Sequence, residues 1–233
     1  MTEVRQFDTT RVFTNLILAA PLTLLVPVGY ALLGMIWDIE LSWTAILFGA
    51  LGWLIALALR APVAIATKQM VDSQNVLQRV IVASSGFLEE PARLIVLLLV
   101  GRDFEIAYSI GLGWAAIEVV YTVINSFVIG SLTVRTDEKS KEALKQLDEM
   151  GVLSETAPFL GIFERITSSA VHIGFAMLIA VWPAFVVAAI PIHSATNMGI
   201  LAVNKRSKIG AQLMLALIAT VIFVGGLAGF EVL

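Results

Sequence analysis

The segment SSGFLEEPARLIVLLLV, residues 84–100, places Glu89, Glu90 and Arg93 inside an apolar run. The full run, 80–101, is long enough to cross a hydrocarbon core of about 30 Å as a helix rising about 1.5 Å per residue. A charged residue inside such a core costs roughly 2.5–3.5 kcal/mol, so chains keep one only where it forms an ion pair or has a function. The segment therefore predicts a membrane helix with a polar, functional face.

The rest of the chain is as apolar as this segment. Of its 233 residues, 58% are hydrophobic and 14% are charged, against roughly 25% charged in soluble domains. Further apolar runs of span length cover 12–35, 43–66, 105–132, 157–182, 183–203 and 209–231. We expect an all-α, multi-pass membrane protein with seven transmembrane helices in one domain, 1–233. Secreted, nuclear and cytosolic proteins are excluded, and so is cysteine chemistry, because the chain has no cysteine.

The distribution of lysine and arginine predicts the topology. With the N-terminus inside, the cytoplasmic loops hold twelve of these residues and the outer side holds only Arg102. This predicts an N-in, C-out protein, which we place in a prokaryotic cytoplasmic membrane. The longest polar stretch, 133–156, is predicted to be a cytoplasmic amphipathic connector. Arg60, near the inner end of span two, is expected to extend to the lipid headgroups.

Short connections suggest how neighbouring spans pack. Only a few residues, 101–105, separate spans three and four, and Trp182 and Pro183 join spans five and six. We expect each of these two pairs to form an antiparallel hairpin packed side by side.

Ionisable residues deep in the membrane are confined to spans three to six, 80–203, the predicted four-helix functional core. In addition to the three in span three, the polar residues are Glu118, Glu164, Arg165, His172, His193 and Asn197. At about 1.5 Å per residue, Glu89, Glu118, His172 and His193 lie about 13–21 Å from the cytoplasmic helix ends. They can therefore meet near mid-membrane.

Some of these residues also have a purely structural interpretation. Arg93 with either adjacent glutamate, or Glu164 with Arg165, would form an ion pair that holds helices together, and for Glu164 and Arg165 we expect this structural role. His193 and Asn197, one helical turn apart, would serve as interhelical hydrogen-bonding groups.

The residue types restrict the chemistry. The chain has no His-Glu-x-x-His zinc motif and no Gly-x-Ser-x-Gly nucleophile motif, and every aspartate lies in a loop or terminus. Glutamate and histidine chemistry remains. A carboxylate can take a proton from water, and His193 with Asn197 can donate hydrogen bonds to a developing oxyanion. Arg93 would keep one of the adjacent glutamates ionised.

Together these motifs resemble the glutamate-dependent intramembrane proteases, which include the CAAX prenyl endopeptidases with their bacteriocin-processing relatives, the PrsW proteases and the YhfC group. The resemblance covers 85–200. It is carried by Glu-Glu-x-x-Arg at Glu89, by Trp-x-x-x-Glu ending at Glu118, by Arg165 followed by His172, and by His-x-x-x-Asn at His193. The glutamate at position 118 is similar to the PrsW pattern rather than the CAAX pattern, which argues against prenylated substrates.

The resemblance implies roles for individual residues. Glu89 would activate water with support from Glu90 and Arg93, His172 would assist, and His193 with Asn197 would form the oxyanion site. Glu118 completes the expected catalytic set. We expect no cofactor; because YhfC members are described as metalloproteases, zinc held by Glu89, His172 and His193 is the alternative.

The expected partners follow from the same resemblance. The substrate would be a membrane protein or a membrane-anchored peptide within the lipid bilayer, with no nucleic acid, and the chain would act alone, as a homo-oligomer or with a partner subunit.

The same core also resembles the Aph (anterior pharynx defective) subunit of gamma-secretase, a non-catalytic seven-helix scaffold, on features such as the Val-Ile-Asn run 123–125. A proton- or metal-coupled transporter is a third hypothesis, against which stands the absence of an internal repeat.

Overall fold

The computed structural model describes residues 9–71, 73–149 and 158–232, and over these ranges the chain forms helices and no strand. The helices are α1 Thr9–Thr23, α2 Leu25–Ile36, α3 Trp43–Met70, α4 Gln74–Val100, α5 Phe104–Thr133, α6 Glu138–Glu149, α7 Pro158–Val181, α8 Val186–Asn204 and α9 Lys208–Gly229. A 3₁₀ turn, Pro183–Phe185, leads into α8. The predicted all-α class is confirmed.

Within the described ranges, six helical segments are long and apolar enough to cross a membrane, as in a multi-pass membrane protein. They are Ile17–Ile36, Trp43–Met70, Phe104–Thr133, Phe159–Val181, Pro183–Asn204 and Lys208–Gly229. The predicted first span, 12–35, is divided between α1 and α2. The predicted third span, 80–101, falls in α4, which is not among the six because it carries four charged residues, two arginines and two glutamates.

Local side-chain chemistry sets several helix boundaries. Ser42, Asp103 and Ser207 precede α3, α5 and α9, and each accepts a hydrogen bond from the backbone amide three residues later, at 3.3, 3.0 and 3.0 Å. Such N-caps satisfy amides that lack a partner within the helix. Gly101 ends α4 with a φ of 148°, a conformation that residues with a side chain rarely adopt.

Six of the helices form a closed ring. In order around it, α4 contacts α3, α3 contacts α5, α5 contacts α7, α7 contacts α9, α9 contacts α8, and α8 contacts α4 again. The helices α1 and α2 pack outside this ring against α5 and α7. Apolar side chains such as Leu99, Val187 and Leu217 are exposed on its outer surface, as lipid contact requires.

The ring order corrects the expected hairpins. Helix α4 packs mainly against α3 and α8 and makes only a small contact with α5, while α7 packs against α5 and α9 rather than α8. A short connection brings two helix ends together but does not fix which faces pack along their length. Helices α4 and α5, and helices α7 and α8, therefore diverge although each pair is consecutive in the chain.

One end of the ring is tightly packed. Tyr108, Ile110, Ile173 and Phe175 are fully buried there, in the first half of α5 and the second half of α7. The helices α3 and α5 meet backbone to backbone, since a Cβ on Gly113 would lie 1.9 Å from the carbonyl oxygen of Ile46. This closed end holds the hydrophobic core.

The polar stretch 133–156 contains a helix, as expected. Helix α6 begins at Glu138, and Lys141 donates to Glu138 at 2.7 Å across one turn. Residues 150–156, the remainder of the predicted connector, lie outside the described ranges.

Candidate functional site

Glu89 lies in the middle of α4 and is oriented by two neighbouring helices. The indole Nε1 of Trp114 on α5 donates to Oε2 at 3.0 Å, and Arg60 on α3 donates to Oε1. Only 3% of the Glu89 side chain is exposed. Two directed donors from different helices fix the plane of this carboxylate.

Glu90 and Arg93 form a fully buried ion pair behind Glu89. The guanidinium contacts both carboxylate oxygens, with Nε 3.0 Å from Oε2 and Nη2 3.2 Å from Oε1. The Nδ1 atom of His193 lies 2.6 Å from Oε1 of Glu90, and the Arg93 guanidinium lies 4.3 Å from the ring centroid of Trp114. Of the two adjacent glutamates, Arg93 therefore pairs with Glu90.

His172 contacts charged groups through both of its ring nitrogens. Nη2 of Arg93 lies 3.1 Å from Nδ1 of His172, and a guanidinium can only donate, so Nδ1 is the acceptor of this contact. Nε2 of the same ring lies 2.6 Å from Oε2 of Glu118. Arg93 also donates to the backbone oxygen of His172 at 2.9 Å. His172 thus connects the Glu90–Arg93 pair to Glu118.

Glu118 belongs to a second group of charges. Arg165 donates to Glu118 at 2.7 Å and to Glu164 at 2.5 Å, and Gln212 on α9 donates to Glu164 at 3.0 Å. Glu164 and Arg165 were expected to form a structural pair; they are paired, but they also line the cavity described below.

His193 and Asn197 project from successive turns of α8 toward α4. Nδ2 of Asn197 donates to the hydroxyl of Ser85 at 2.9 Å, and Phe175 stacks on the His193 ring with centroids 5.7 Å apart. The His172 and His193 rings lie 5.8 Å apart, edge to face. The two histidines and Asn197 therefore share one site.

A glycine allows this close approach of α4 and α8. A Cβ on Gly86 would lie 2.1 Å from the carbonyl oxygen of Ile190, so a larger residue would separate the helices. Since Gly86 is one turn from both Glu89 and Glu90, the contact places Glu90 within reach of His193.

A cavity of about 280 Å³ lies inside the ring, beyond its closed end. Five of the seven predicted site residues line it, and Glu90 and Arg93 lie behind them. The lining residues are Trp53, Arg60, Glu89, Glu118, Tyr121, Thr122, Glu164, Arg165, Ser168, Val171, His172, His193, Thr196, Asn197, Ile200 and Leu215.

The exposure of the charged side chains shows where the cavity opens. The exposed fraction rises from 0% at Glu90 to 19% at Glu118 and 39% at Glu164. Glu164 lies on the second turn of α7, so the opening is at the ring end where α3 ends at Met70 and α8 ends at Asn204. This network contains four glutamates and three arginines, and a proton on His193 would balance them.

Arg60 is the residue that the sequence interpretation placed wrongly. It was expected at the lipid headgroups, but it contacts Glu89 and lines the cavity. Helix α3 continues to Met70, so Arg60 lies ten residues, about 15 Å, from the helix end. The apolar run ends before the helix does, so its length underestimated how far Arg60 lies from the helix end.

The residues of the alternative zinc set, Glu89, His172 and His193, contact other protein groups in the described structure. Both ring nitrogens of His172 are engaged, by Arg93 and by Glu118, and both oxygens of Glu89 accept hydrogen bonds. Among the residues that the structure describes, no three histidine, aspartate or glutamate side chains converge as metal ligands.

Comparisons of the chain with family models, curated proteins and solved structures gave no match.

Proposed function

We propose that the chain is an intramembrane endopeptidase that hydrolyses a peptide bond of a membrane protein or membrane-anchored peptide. The observation that carries the proposal is the position of Glu89, a buried carboxylate oriented by Arg60 and Trp114 on the wall of a cavity. His193 and Asn197 line the same cavity. A base and two hydrogen-bonding groups around one space are what water attack on a carbonyl requires.

The proposed reaction begins with a water molecule beside Glu89. Each Glu89 oxygen accepts one hydrogen bond and keeps a second lone pair, so it can take a proton while the water oxygen bonds to the carbonyl carbon. The oxyanion accepts hydrogen bonds from Nε2 of a protonated His193 and from the second N–H of Asn197. When the C–N bond breaks, the proton on Glu89 passes to the leaving nitrogen.

Other residues hold this arrangement in place. Glu90 orients His193 through Nδ1, and Arg93 holds Glu90 and the ring of His172. His172 in turn holds Glu118, which pairs with Arg165. We assign these residues a positioning role.

The proposed membrane arrangement has seven spans, with α4 as the third. Its charged face points into the ring, where ion pairs compensate it, so α4 can cross the membrane despite its lower hydropathy. With the N-terminus inside, the cavity opens toward the cytoplasm. A prokaryotic cytoplasmic membrane remains the proposed location.

Purified protein tests the proposal directly. Wild type and Glu89→Gln are incubated with a panel of single-span peptides, and products are identified by mass spectrometry. Glu105→Gln, at an exposed position at the start of α5, is the matched control. We expect cleavage by wild type and control, and a loss of about 10²–10⁴-fold in rate with Glu89→Gln. Equal cleavage by all three would exclude Glu89 as the base.

One observation favours a second candidate, a non-catalytic scaffold. Glu89, Glu90 and Glu118 each have a cationic or histidine partner, so the network also serves as a set of structural ion pairs. A scaffold predicts that wild type cleaves no peptide while Glu89→Gln still lowers the melting temperature. The protease hypothesis predicts cleavage by wild type.

A further inference from the structure

Arg60 is held by fewer contacts than the other two arginines of the site. Arg93 donates to Glu90 and twice to His172, and Arg165 donates to Glu118, Glu164 and Thr122. In the ranges that the structure describes, Arg60 donates to Glu89 alone. Its guanidinium therefore has N–H donors in addition to the one that contacts Glu89.

The remaining N–H donors of Arg60 are at the cavity wall, where a ligand can accept hydrogen bonds from them. Arg60 lines the cavity, and its Nε is buried without a hydrogen-bond partner in the described part of the chain. An unpaired buried donor is costly, so a native chain usually provides it with a partner. A guanidinium presents its N–H groups in a fork that matches the two oxygens of a carboxylate.

We propose that Arg60 binds a carboxylate of the substrate, and that this carboxylate displaces Glu89 from Arg60. Glu89 then keeps the hydrogen bond from Trp114 and loses its ion pair, which frees one oxygen to face water. Arg60 would thus determine specificity and couple substrate binding to the release of the base. This inference rests on the proposed protease for its consequence, but the binding step does not require cleavage.

Peptide binding tests the inference. The probes are three short dansyl-labelled leucine–alanine peptides: one with a free C-terminal carboxylate, one with a C-terminal amide, and one with an amide and a glutamate side chain near the end. Affinity is measured by fluorescence anisotropy in detergent. The first and third probes, each compared with the neutral amide, distinguish a terminal carboxylate from a side-chain carboxylate.

We expect wild type to bind one of the two carboxylate peptides roughly 10- to 100-fold more tightly than the neutral amide. Arg60→Gln should abolish this preference. Arg79→Gln, at an exposed position outside the cavity, should keep it. Glu89→Gln should strengthen carboxylate binding several-fold, because the competing internal anion is gone. A residue that only stabilised the fold would not produce this gain.

A second variant allows for misfolding of Arg60→Gln, which leaves Glu89 unpaired. The double variant Arg60→Gln/Glu89→Gln removes both charges and should also bind the three peptides equally. A carboxylate preference that survives in either Arg60 variant, or its absence in wild type, would overturn the inference. Binding with this pattern but no cleavage would instead reject the protease while leaving the Arg60 site intact.

Discussion

The two ends of the six-helix ring are built from the same helices and pack in opposite ways. At the closed end, Gly113 lets α5 touch the backbone of α3, and apolar side chains fill the space. At the other end, glutamates and arginines surround a cavity of about 280 Å³. Buried charges need partners or water, so a membrane bundle keeps a polar interior only where paired groups line it. The tightly packed hydrophobic core and the candidate site therefore occupy opposite ends of the ring.

The largest expected effect is at the junction of the two ends. Arg93→Ala leaves Glu90 without its guanidinium and should lower the free energy of unfolding by about 3–5 kcal/mol. Arg79→Ala, at an exposed position on the same helix, should change it by less than about 0.5 kcal/mol. Thermal unfolding in detergent measures both. Similar melting temperatures for the two variants would contradict a structural role for the buried pair.

At the closed end the expected effect is somewhat smaller. Gly113→Ala places a Cβ against the carbonyl oxygen of Ile46, and overpacking of this kind costs about 1–3 kcal/mol. Gly29→Ala is the control, because its Cβ would meet nothing within 4 Å. We expect the control to unfold at the wild-type temperature or slightly above it, because alanine favours a helix more than glycine does. If Gly113→Ala did so too, the backbone contact between α3 and α5 would be wrong.

A smaller effect on stability is expected beside the cavity, where one hydrogen bond joins α4 to α8. Ser85→Ala removes the acceptor of the Asn197 amide, at a cost of about 0.5–1.5 kcal/mol. Its neighbour Ser84 bonds within its own helix, so Ser84→Ala should cost less. The difference between their melting temperatures measures the contact of α4 with α8, and no difference would argue against it.

The sequence was informative about the site for a specific reason. Helical spacing and a common depth predicted that Glu89, Glu118, His172, His193 and Asn197 would meet, and all five line one cavity. Spacing along a helix and depth in the membrane both follow from helix geometry, and a long apolar run predicts such a helix well.

What could not be predicted depended on packing between helices. The order of helices around the ring is set by close contacts such as that at Gly86, which no local pattern indicates. Arg60 was misplaced because the apolar run ends before α3 does, at Met70. The partners of His172 were not predicted either, because no spacing shows that both of its ring nitrogens are engaged.

The smallest expected effect lies outside the ring, at the start of α6. The hydroxyl and backbone amide of Ser140 both donate to Asp137 and lower the pKa of its carboxyl from the ordinary value of 3.8. A lowered pKa in the folded state means that this stabilisation is complete above pH 3.8 and is lost as the pH falls through the lowered value. Asp137→Asn should remove this acid dependence. Hydrogen exchange of the α6 amides from about pH 2 to about pH 5 measures it, and identical profiles would contradict the contact.

Hydrolysis inside a membrane requires water at the site, so the central claim is that the ring is wet at one end and dry at the other. The chain has no cysteine, which allows single thiols to be placed without other changes. Ser168→Cys lies on the cavity wall, and Ser109→Cys lies fully buried at the closed end. In inverted membrane vesicles, whose cytoplasmic face is outside, a water-soluble maleimide should label position 168 and leave position 109 unmodified until the protein is denatured. Labelling of position 109 as fast as 168, or of neither, would contradict the account.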